Sequence, residues 1–352
     1  MISLLISSTV AFVLVIFLTP LAIKTLRKRD IGQFIQSELE GHMHKQGVPT
    51  MGGLVIVLGV VAGYAVSHFK LFSFQDGFGF EAVGITDKAL LAIFAIIGMA
   101  VIGFFDDYTK YARKRNEGLS KRWKFLGQLI IAAGFAWGAE RVGVSTELSF
   151  VRPLGIDLGP ILFFLLVLFM LTATANGVNL TDGLDGLVAG SSALLFGAYV
   201  LIMFWQSRNA EFYGIDGALD LAVLSAAALG GVLAFLWWNA APAQIIMGDT
   251  GSHAIGGGIA AFALLTNTQL LLIVLGGLYV LETVSVIMQV ISFRGFGRRI
   301  FRMTPIHHHF ELKGWPETTV IIRFWILSAI MVAIGVGIFY ADWVSGPGSI
   351  VP

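Results

Sequence analysis

The chain alternates long apolar runs with short polar segments. Ten such runs fall near residues 2–23, 50–68, 89–105, 124–140, 158–175, 186–205, 219–238, 254–267, 269–292 and 321–341. A helix of about 20 residues, rising 1.5 Å per residue, crosses a hydrocarbon core roughly 30 Å thick. The predicted fold is therefore an all-α polytopic membrane protein of about ten transmembrane helices, forming one domain over residues 1–352. Lys24, Arg27, Lys28 and Arg29 follow the first run, and no basic stretch precedes it. That order predicts a retained first span with its N-terminus outside rather than a cleaved leader.

Composition agrees with this reading. The residues are 56% hydrophobic and 13% charged, against about 25% charge in a soluble domain. Cysteine is absent, which excludes disulfides, thiolate nucleophiles and Cys-ligated metal centres. A net charge of +1 gives no general attraction to nucleic acid. The distribution of charge says more than its sum. With ten spans, eighteen Lys and Arg residues fall on one side of the membrane and five on the other. The positive-inside rule then places the eighteen in the cytoplasm and both termini on the periplasmic face.

The same alternation gathers five polar segments at the cytoplasmic face. They are "HMHKQGVPTMGG", "FFDDYTK", "NGVNLTDGLDG", "WWNAAPAQIIMGDTGSH" and "FRMTPIHHHFELKGW". In the third, Asn176, Asn179, Asp182 and Asp185 recur at every third position. On an α-helix such neighbours share a surface, and in a 3₁₀ turn they align fully. Gly177, Gly183 and Gly186 leave room for a ligand to approach the backbone. A plain polar cap between two spans needs fewer such groups.

Asp106 and Asp107 close an otherwise apolar run, where a carboxylate at mid-depth costs about 2.5–3.5 kcal/mol. They fit a cavity open to the cytoplasm. The bland alternative is an i,i+4 ion pair between Asp106 and Lys110. Asp249 is framed by Gly248 and Gly251, with Thr250 and Ser252 placed to cap a helix whose N-terminus suits phosphate. A carboxylate there suits Mg²⁺, which is commonly held by one or two carboxylates plus substrate phosphates. In an extended segment His307 and His309 share a face. Such a run suits donation to an anionic substrate better than a three-His zinc site. His42 and His44 read equally well as part of a solvated loop. Carboxylates, lysines, histidines and glycines together point to phosphoryl transfer. A P-loop signature is missing, and a membrane-embedded site suggests that one substrate is a lipid.

These motifs resemble, almost end to end, the polyprenyl-phosphate N-acetylhexosamine-1-phosphate transferases. The aspartate segments are similar to the whole superfamily, and "HHHFELKGW" resembles its muramoyl-pentapeptide branch. The resemblance implies transfer of a phospho-sugar from UDP-N-acetylmuramoyl-pentapeptide to undecaprenyl phosphate, with Mg²⁺, giving lipid I and UMP. It implies Asp249 as the leading Mg²⁺ ligand with Asn179 beside it. Asp106 and Asp107 would flank the lipid phosphate, with Asp106 the proposed base. Lys45, Asn176, Asn179, Asp182, Gly183, Leu184, Asp185, Asn239 and Ile246 would line the nucleotide pocket. Lys110, Lys124, His307, His308 and His309 would hold phosphates and the sugar-peptide. The implied partners are the two substrates and the bilayer, with a homodimer left open. At Ile246 other members commonly carry a Phe able to stack on uracil, so that contact loses its aromatic character here.

Two arguments bear on mechanism and class. A phosphate monoester has its second pKa near about 6, so the lipid phosphate is mostly dianionic at neutral pH. A carboxylate gains little by deprotonating it. This favours a single in-line displacement stabilised by Mg²⁺ and lysines over an aspartyl-phosphate double displacement. The nearest alternative is a sister enzyme using UDP-N-acetylglucosamine. A secondary transporter, from another class, would place its charges near mid-depth and repeat its halves; the charges here gather at one face.

Overall fold

The computed structural model describes residues 1–29, 31–32, 46–73, 77–114 and 117–346. The first helices are α1 (Ile2–Lys28), α2 (Gly53–Ser67), α3 (Asp87–Arg113), α4 (Lys121–Arg141), α5 (Gly159–Thr181) and α6 (Leu187–Arg208). A single turn, α7 (Ala210–Tyr213), precedes α8 (Ala218–Asn239) and α9 (Gly248–Leu265). The short α10 (Leu271–Leu275) leads to α11 (Gly277–Phe296), followed by α12 (Ile306–Glu311) and α13 (Glu317–Ser345). Every predicted span is occupied by a helix. By length and composition, seven of them are apolar enough to cross a membrane: α1, α3, α5, α6, α8, α11 and α13. The apolar α2 is shorter. Lys121, Arg122 and Lys124 open α4, and a polar "GDTGSH" opens α9. The chain is thus an all-α polytopic membrane protein.

Lipid-facing and core-facing surfaces separate by helical period. The buried residues of α1 are Ser7, Ala11, Val15, Thr19 and Ile23, one every fourth position. That stripe packs on α2 and α8, while Leu5, Phe17 and Leu21 stay exposed, as expected for a surface immersed in lipid. The hub is α9. All its residues from Thr250 to Leu265 are buried, chiefly against α3 and α5. Small residues permit this, as they do at membrane helix interfaces generally. A Cβ on Gly103 of α3 would collide with the backbone oxygen of Asp249, and one on Gly256 would collide with the α5 backbone at Ala175.

Among the described residues, strands are confined to two antiparallel hairpins. These are β1 (Phe69–Ser73) with β2 (Gly77–Ala82), and β3 (Glu147–Ser149) with β4 (Pro153–Asp157). They join α2 to α3 and α4 to α5, at the far end of α3 from Asp106. Sequence reading treats them as ordinary connectors; their pairing is local, so no strong pattern marks them.

The helices differ from expectation in four places, one of them the six-residue overrun of α5 to Thr181. The run at 269–292 is not one span: it breaks at Gly276 into α10 and α11. Paired glycines at 276 and 277 weaken a helix there, and Met331 of α13 packs where a Cβ on Gly277 would sit. α3 continues two turns beyond the predicted end because no Gly or Pro intervenes before Lys114, which stops it in a left-handed conformation. The histidine run is not extended but forms α12, so His307 and His309 do not share a face.

Candidate active site

Because α3 and α5 overrun their predicted ends, their last turns reach the first turn of α9. Three carboxylates meet there. Asp106, Asp107 and Asp249 each offer an oxygen within 4.8 Å of the others. Two lysines serve them. Lys110 Nζ lies 2.7 Å from Asp106 Oδ2 and 2.9 Å from Asp249 Oδ1. Lys124 Nζ, from α4, lies 2.8 Å from Asp249 Oδ2 and 3.8 Å from Asp106 Oδ1. The i,i+4 pair between Asp106 and Lys110 is therefore real, and it is also part of a larger cluster. Asp106 Oδ1 accepts a further bond from the backbone N–H of Leu119 at 3.0 Å.

Asp107 has a different employment. Its Oδ1 accepts from the backbone N–H of Asp249 at 3.0 Å, and its Oδ2 accepts from the Thr250 N–H at 2.9 Å and the Thr250 hydroxyl at 2.7 Å. A carboxylate from α3 thus caps the N-terminus of α9, in the place where Thr250 and Ser252 are expected to cap it. Thr250 is instead a donor to that carboxylate. An anion at a helix N-terminus satisfies orphan N–H groups and the helix dipole together. Gly248 makes the approach possible. Its φ is +73°, and a Cβ there would lie 2.7 Å from Asp107 Oδ2.

Asn179, on α5, completes this group. Its amide nitrogen donates to Asp249 Oδ1 at 3.0 Å and to the Ser252 hydroxyl at 2.9 Å. His253 was not singled out by sequence reading, yet it is fully buried beneath the cluster, with Nδ1 2.9 Å from the Asp249 carbonyl oxygen.

A second group lies on the turn between α5 and α6. Only Asn176 and Asn179 of the four-residue repeat sit on α5; Asp182 is its C-cap and Asp185 lies in the turn beyond. The spacing of three therefore does not give one continuous polar face. Asn176 donates back to the Thr172 carbonyl at 2.7 Å, within its own helix. Asp185 Oδ2 accepts from the Ala243 N–H at 2.8 Å, and Asn239 bridges the Gly186 N–H and the Ile245 carbonyl. These two residues lock the α5–α6 turn to the α8–α9 connector. Leu184 turns its side chain into a small apolar cluster with Leu187, Leu278 and Phe324. Ile246 is half-buried, and its backbone pairs with Pro49 and Gly52.

The histidines form a third group, set against the second. A Cβ on Gly183 would strike His307 Nε2, so this glycine is what lets α12 approach the turn. His307 Nδ1 lies 3.1 Å from Glu282 Oε1, both side chains being wholly buried. His308 Nδ1 lies 2.7 Å from Glu311 Oε2. His309 Nδ1 accepts the Arg302 N–H at 3.0 Å. Desolvation, with Lys313 and Arg302 nearby, holds the His309 imidazole below its ordinary pKa, which suits an accepting Nδ1. Glu282 was missed by sequence reading, although a lone carboxylate inside the run "GLYVLETVSVIM" is the kind of residue that marks function. Lys45, together with His42 and His44, lies outside the described residues.

Three clustered carboxylates can hold a divalent cation, and two lysines beside them, mostly buried but with part of each side chain exposed, can meet phosphate oxygens. The comparisons define the class to which such a site belongs. Residues 89–267 match the sequence model of glycosyl transferase family 4. The chain is 47% identical to a phospho-N-acetylmuramoyl-pentapeptide-transferase of Frankia casuarinae, over 98% of this chain and 99% of that one. It is 46% identical to the protein of the same name in Streptomyces coelicolor, over 92% and 94%. Against that of Mycobacterium leprae it is 44% identical, over 98% and 99%. The chain belongs to glycosyl transferase family 4 and, within it, to the phospho-N-acetylmuramoyl-pentapeptide-transferases.

Proposed function

We propose that this protein transfers phospho-N-acetylmuramoyl-pentapeptide from UDP-N-acetylmuramoyl-pentapeptide to undecaprenyl phosphate in the bacterial cytoplasmic membrane. The products are lipid I and UMP, and the step is the first membrane reaction of peptidoglycan synthesis. The observation that carries the reading is the meeting of Asp106, Asp107, Asp249, Lys110 and Lys124 at one end of the bundle, in a chain so similar to its relatives over nearly its full length. In this reading that end faces the cytoplasm and both termini face the periplasm.

The donor set fits Mg²⁺. Asp106 and Asp249 present oxygens to the cluster, and Mg²⁺ favours one or two carboxylates plus phosphate oxygens and water. Asp249 is the leading ligand, with Asn179 beside it. When bound, Mg²⁺ supplies charge neutralisation for the diphosphate and the leaving UMP. The protein's own groups do the rest. Three carboxylates face two ammonium groups, and the extra charge sits on Asp107, where the α9 N-terminus meets it. The site is thus close to neutral, while the substrates bring several negative charges. Lys110 and Lys124 are partly exposed and long enough to turn from carboxylate to phosphate. The lipid phosphate attacks the phosphorus nearest the sugar in line, and the UMP oxygen leaves as its bond breaks. No proton need be removed from a dianionic attacking phosphate, so Asp106 acts mainly by placing Lys110 and the cation.

The α5–α6 turn, with Asn176, Asp182, Gly183, Leu184 and Asp185, together with Asn239, Ile246 and Lys45, would hold the nucleotide. His307, His308 and His309 would meet the sugar-peptide. A choice experiment tests the donor: purified protein with undecaprenyl phosphate, Mg²⁺ and equal concentrations of UDP-N-acetylmuramoyl-pentapeptide and UDP-N-acetylglucosamine. Lipid product carrying only the muramoyl-pentapeptide is expected. A product carrying N-acetylglucosamine would assign the sister activity instead.

A further inference from the structure

A cleft of about 460 Å³ opens beside the last turns of α11, outside the acidic site. Its walls are of two kinds. Val290 and Phe293 are apolar and stand exposed on α11; Arg294, Arg299 and Arg302 are cationic, and no Asp or Glu lines it. Among the described residues none of these three arginines is paired with a carboxylate. Arg302 is partly committed, since it donates to the Leu312 carbonyl. Arg299 lies over the Phe293 ring at 5.8 Å.

The cleft is built rather than accidental. Gln289 on α11 accepts from the Ile300 N–H at 2.9 Å and the Phe301 N–H at 3.0 Å, and donates to the Phe301 carbonyl at 2.9 Å. Ser292 donates to the Arg298 carbonyl at 2.8 Å. Two side chains of α11 thus staple the arginine-bearing loop back onto the helix. Around it, Ile287, Ile291 and Phe296 are all exposed. This end of α11 therefore carries an exposed apolar surface with the arginines interleaved in it. An apolar wall and a cationic rim meet there, the pair of surfaces that a phospholipid's acyl chains and phosphate would need.

We propose that this cleft binds the phosphate headgroup of an anionic phospholipid, with its acyl chains lying along α11. Charge complementarity selects the occupant. Among the described residues the three arginines pair with no carboxylate, which disfavours a zwitterionic lipid, whose own cation would face them, and basic pockets on the cytoplasmic side of membrane helices take anionic headgroups. Arginine also suits phosphate through its planar fork of donors. None of these residues belongs to the acidic cluster, although the Arg302 N–H bonds His309, which the proposed function sets against the sugar-peptide.

The test uses full-length protein in mixed micelles with phosphatidylglycerol or phosphatidylcholine, and native mass spectrometry to count retained lipid. The protein is expected to retain phosphatidylglycerol in preference to phosphatidylcholine. The variant Arg294→Gln/Arg299→Gln keeps Arg302 and its structural bond. It should weaken phosphatidylglycerol retention about 30-fold, taking roughly 1 kcal/mol for each arginine near an anionic surface at tenfold per 1.4 kcal/mol. The variant Lys24→Gln/Arg27→Gln, which removes equal charge from the end of α1, should retain it as before. Equal retention of the two lipids by the unaltered protein would overturn the proposal, as would equal losses in the two double variants. Displacement of phosphatidylglycerol by stoichiometric undecaprenyl phosphate would also overturn it, by giving the cleft to the reacting lipid.

Discussion

Asp107 is the residue on which structure and sequence reading part most clearly, and replacing it by Asn is a sharp test. The carboxylate accepts three hydrogen bonds at the α9 N-terminus, at 3.0, 2.9 and 2.7 Å. An amide keeps one accepting oxygen but turns an NH₂ toward a second backbone N–H. Losing a good N-cap costs about 0.5–2 kcal/mol. Removing a negative charge from a partly buried helix start costs up to about 2 kcal/mol more. The sum is about 0.5–4 kcal/mol, and it falls where Asp249 leaves the backbone of α9. A displacement of the order of 1 Å at a reacting centre can lower turnover about 100-fold. Asp107→Asn is therefore expected to lower thermal stability and to lower UMP release about 100-fold together. The Mg²⁺ concentration for half-maximal rate should change little. The assay is UMP release over a Mg²⁺ series, alongside thermal unfolding in the same detergent. Unchanged unfolding with a Mg²⁺ requirement raised tenfold would show that Asp107 is a metal ligand and that the capping argument is wrong.

Asp249→Asn, by contrast, should abolish UMP release while the protein still folds, since α9 keeps its cap; a folded variant with near-normal turnover would remove Asp249 from the metal site. Asp106→Asn should regain part of its activity as pH rises past about 6, where the lipid phosphate becomes dianionic without help. A profile that stays flat and inactive to pH 9 would restore Asp106 as an essential base. Glu117→Cys and Arg208→Cys lie at opposite ends of the bundle in a chain without native cysteine, so a membrane-impermeant thiol reagent should reach them from opposite sides. Labelling of both from one side would refute the proposed topology.

The spans were legible in the sequence because lipid leaves little choice: a backbone in hydrocarbon must satisfy its own hydrogen bonds, so long apolar runs become helices. Asp106, Asp107 and Asp249 were legible too, since a carboxylate beside an apolar run needs a reason to be there. Their division of labour was not. Asp107 and Asp249 are 142 positions apart, and only the close packing of α3 on α9 through Gly103 reveals that one caps the helix carrying the other. The break at Gly276 was hidden inside a run apolar on both sides. The fold of "IHHHFE" was misread because an extended segment and a short helix share the same composition. Asp185 and Asn239 carried the pattern of ligands, yet both side chains also bond backbone groups, of the α8–α9 connector and the α5–α6 turn. A polar residue at a site can hold a loop as well as a substrate.

In the proposed function, the acidic cluster at the end of α3 and the start of α9 runs a metal-assisted phospho-sugar transfer between a nucleotide and a lipid phosphate. Purified protein, stripped of divalent cations with EDTA, should form no product from UDP-N-acetylmuramoyl-pentapeptide and undecaprenyl phosphate. Added Mg²⁺ should restore lipid I and UMP in equal amounts. Equal rates with and without Mg²⁺, or UMP released without a matching lipid-linked product, would contradict the account.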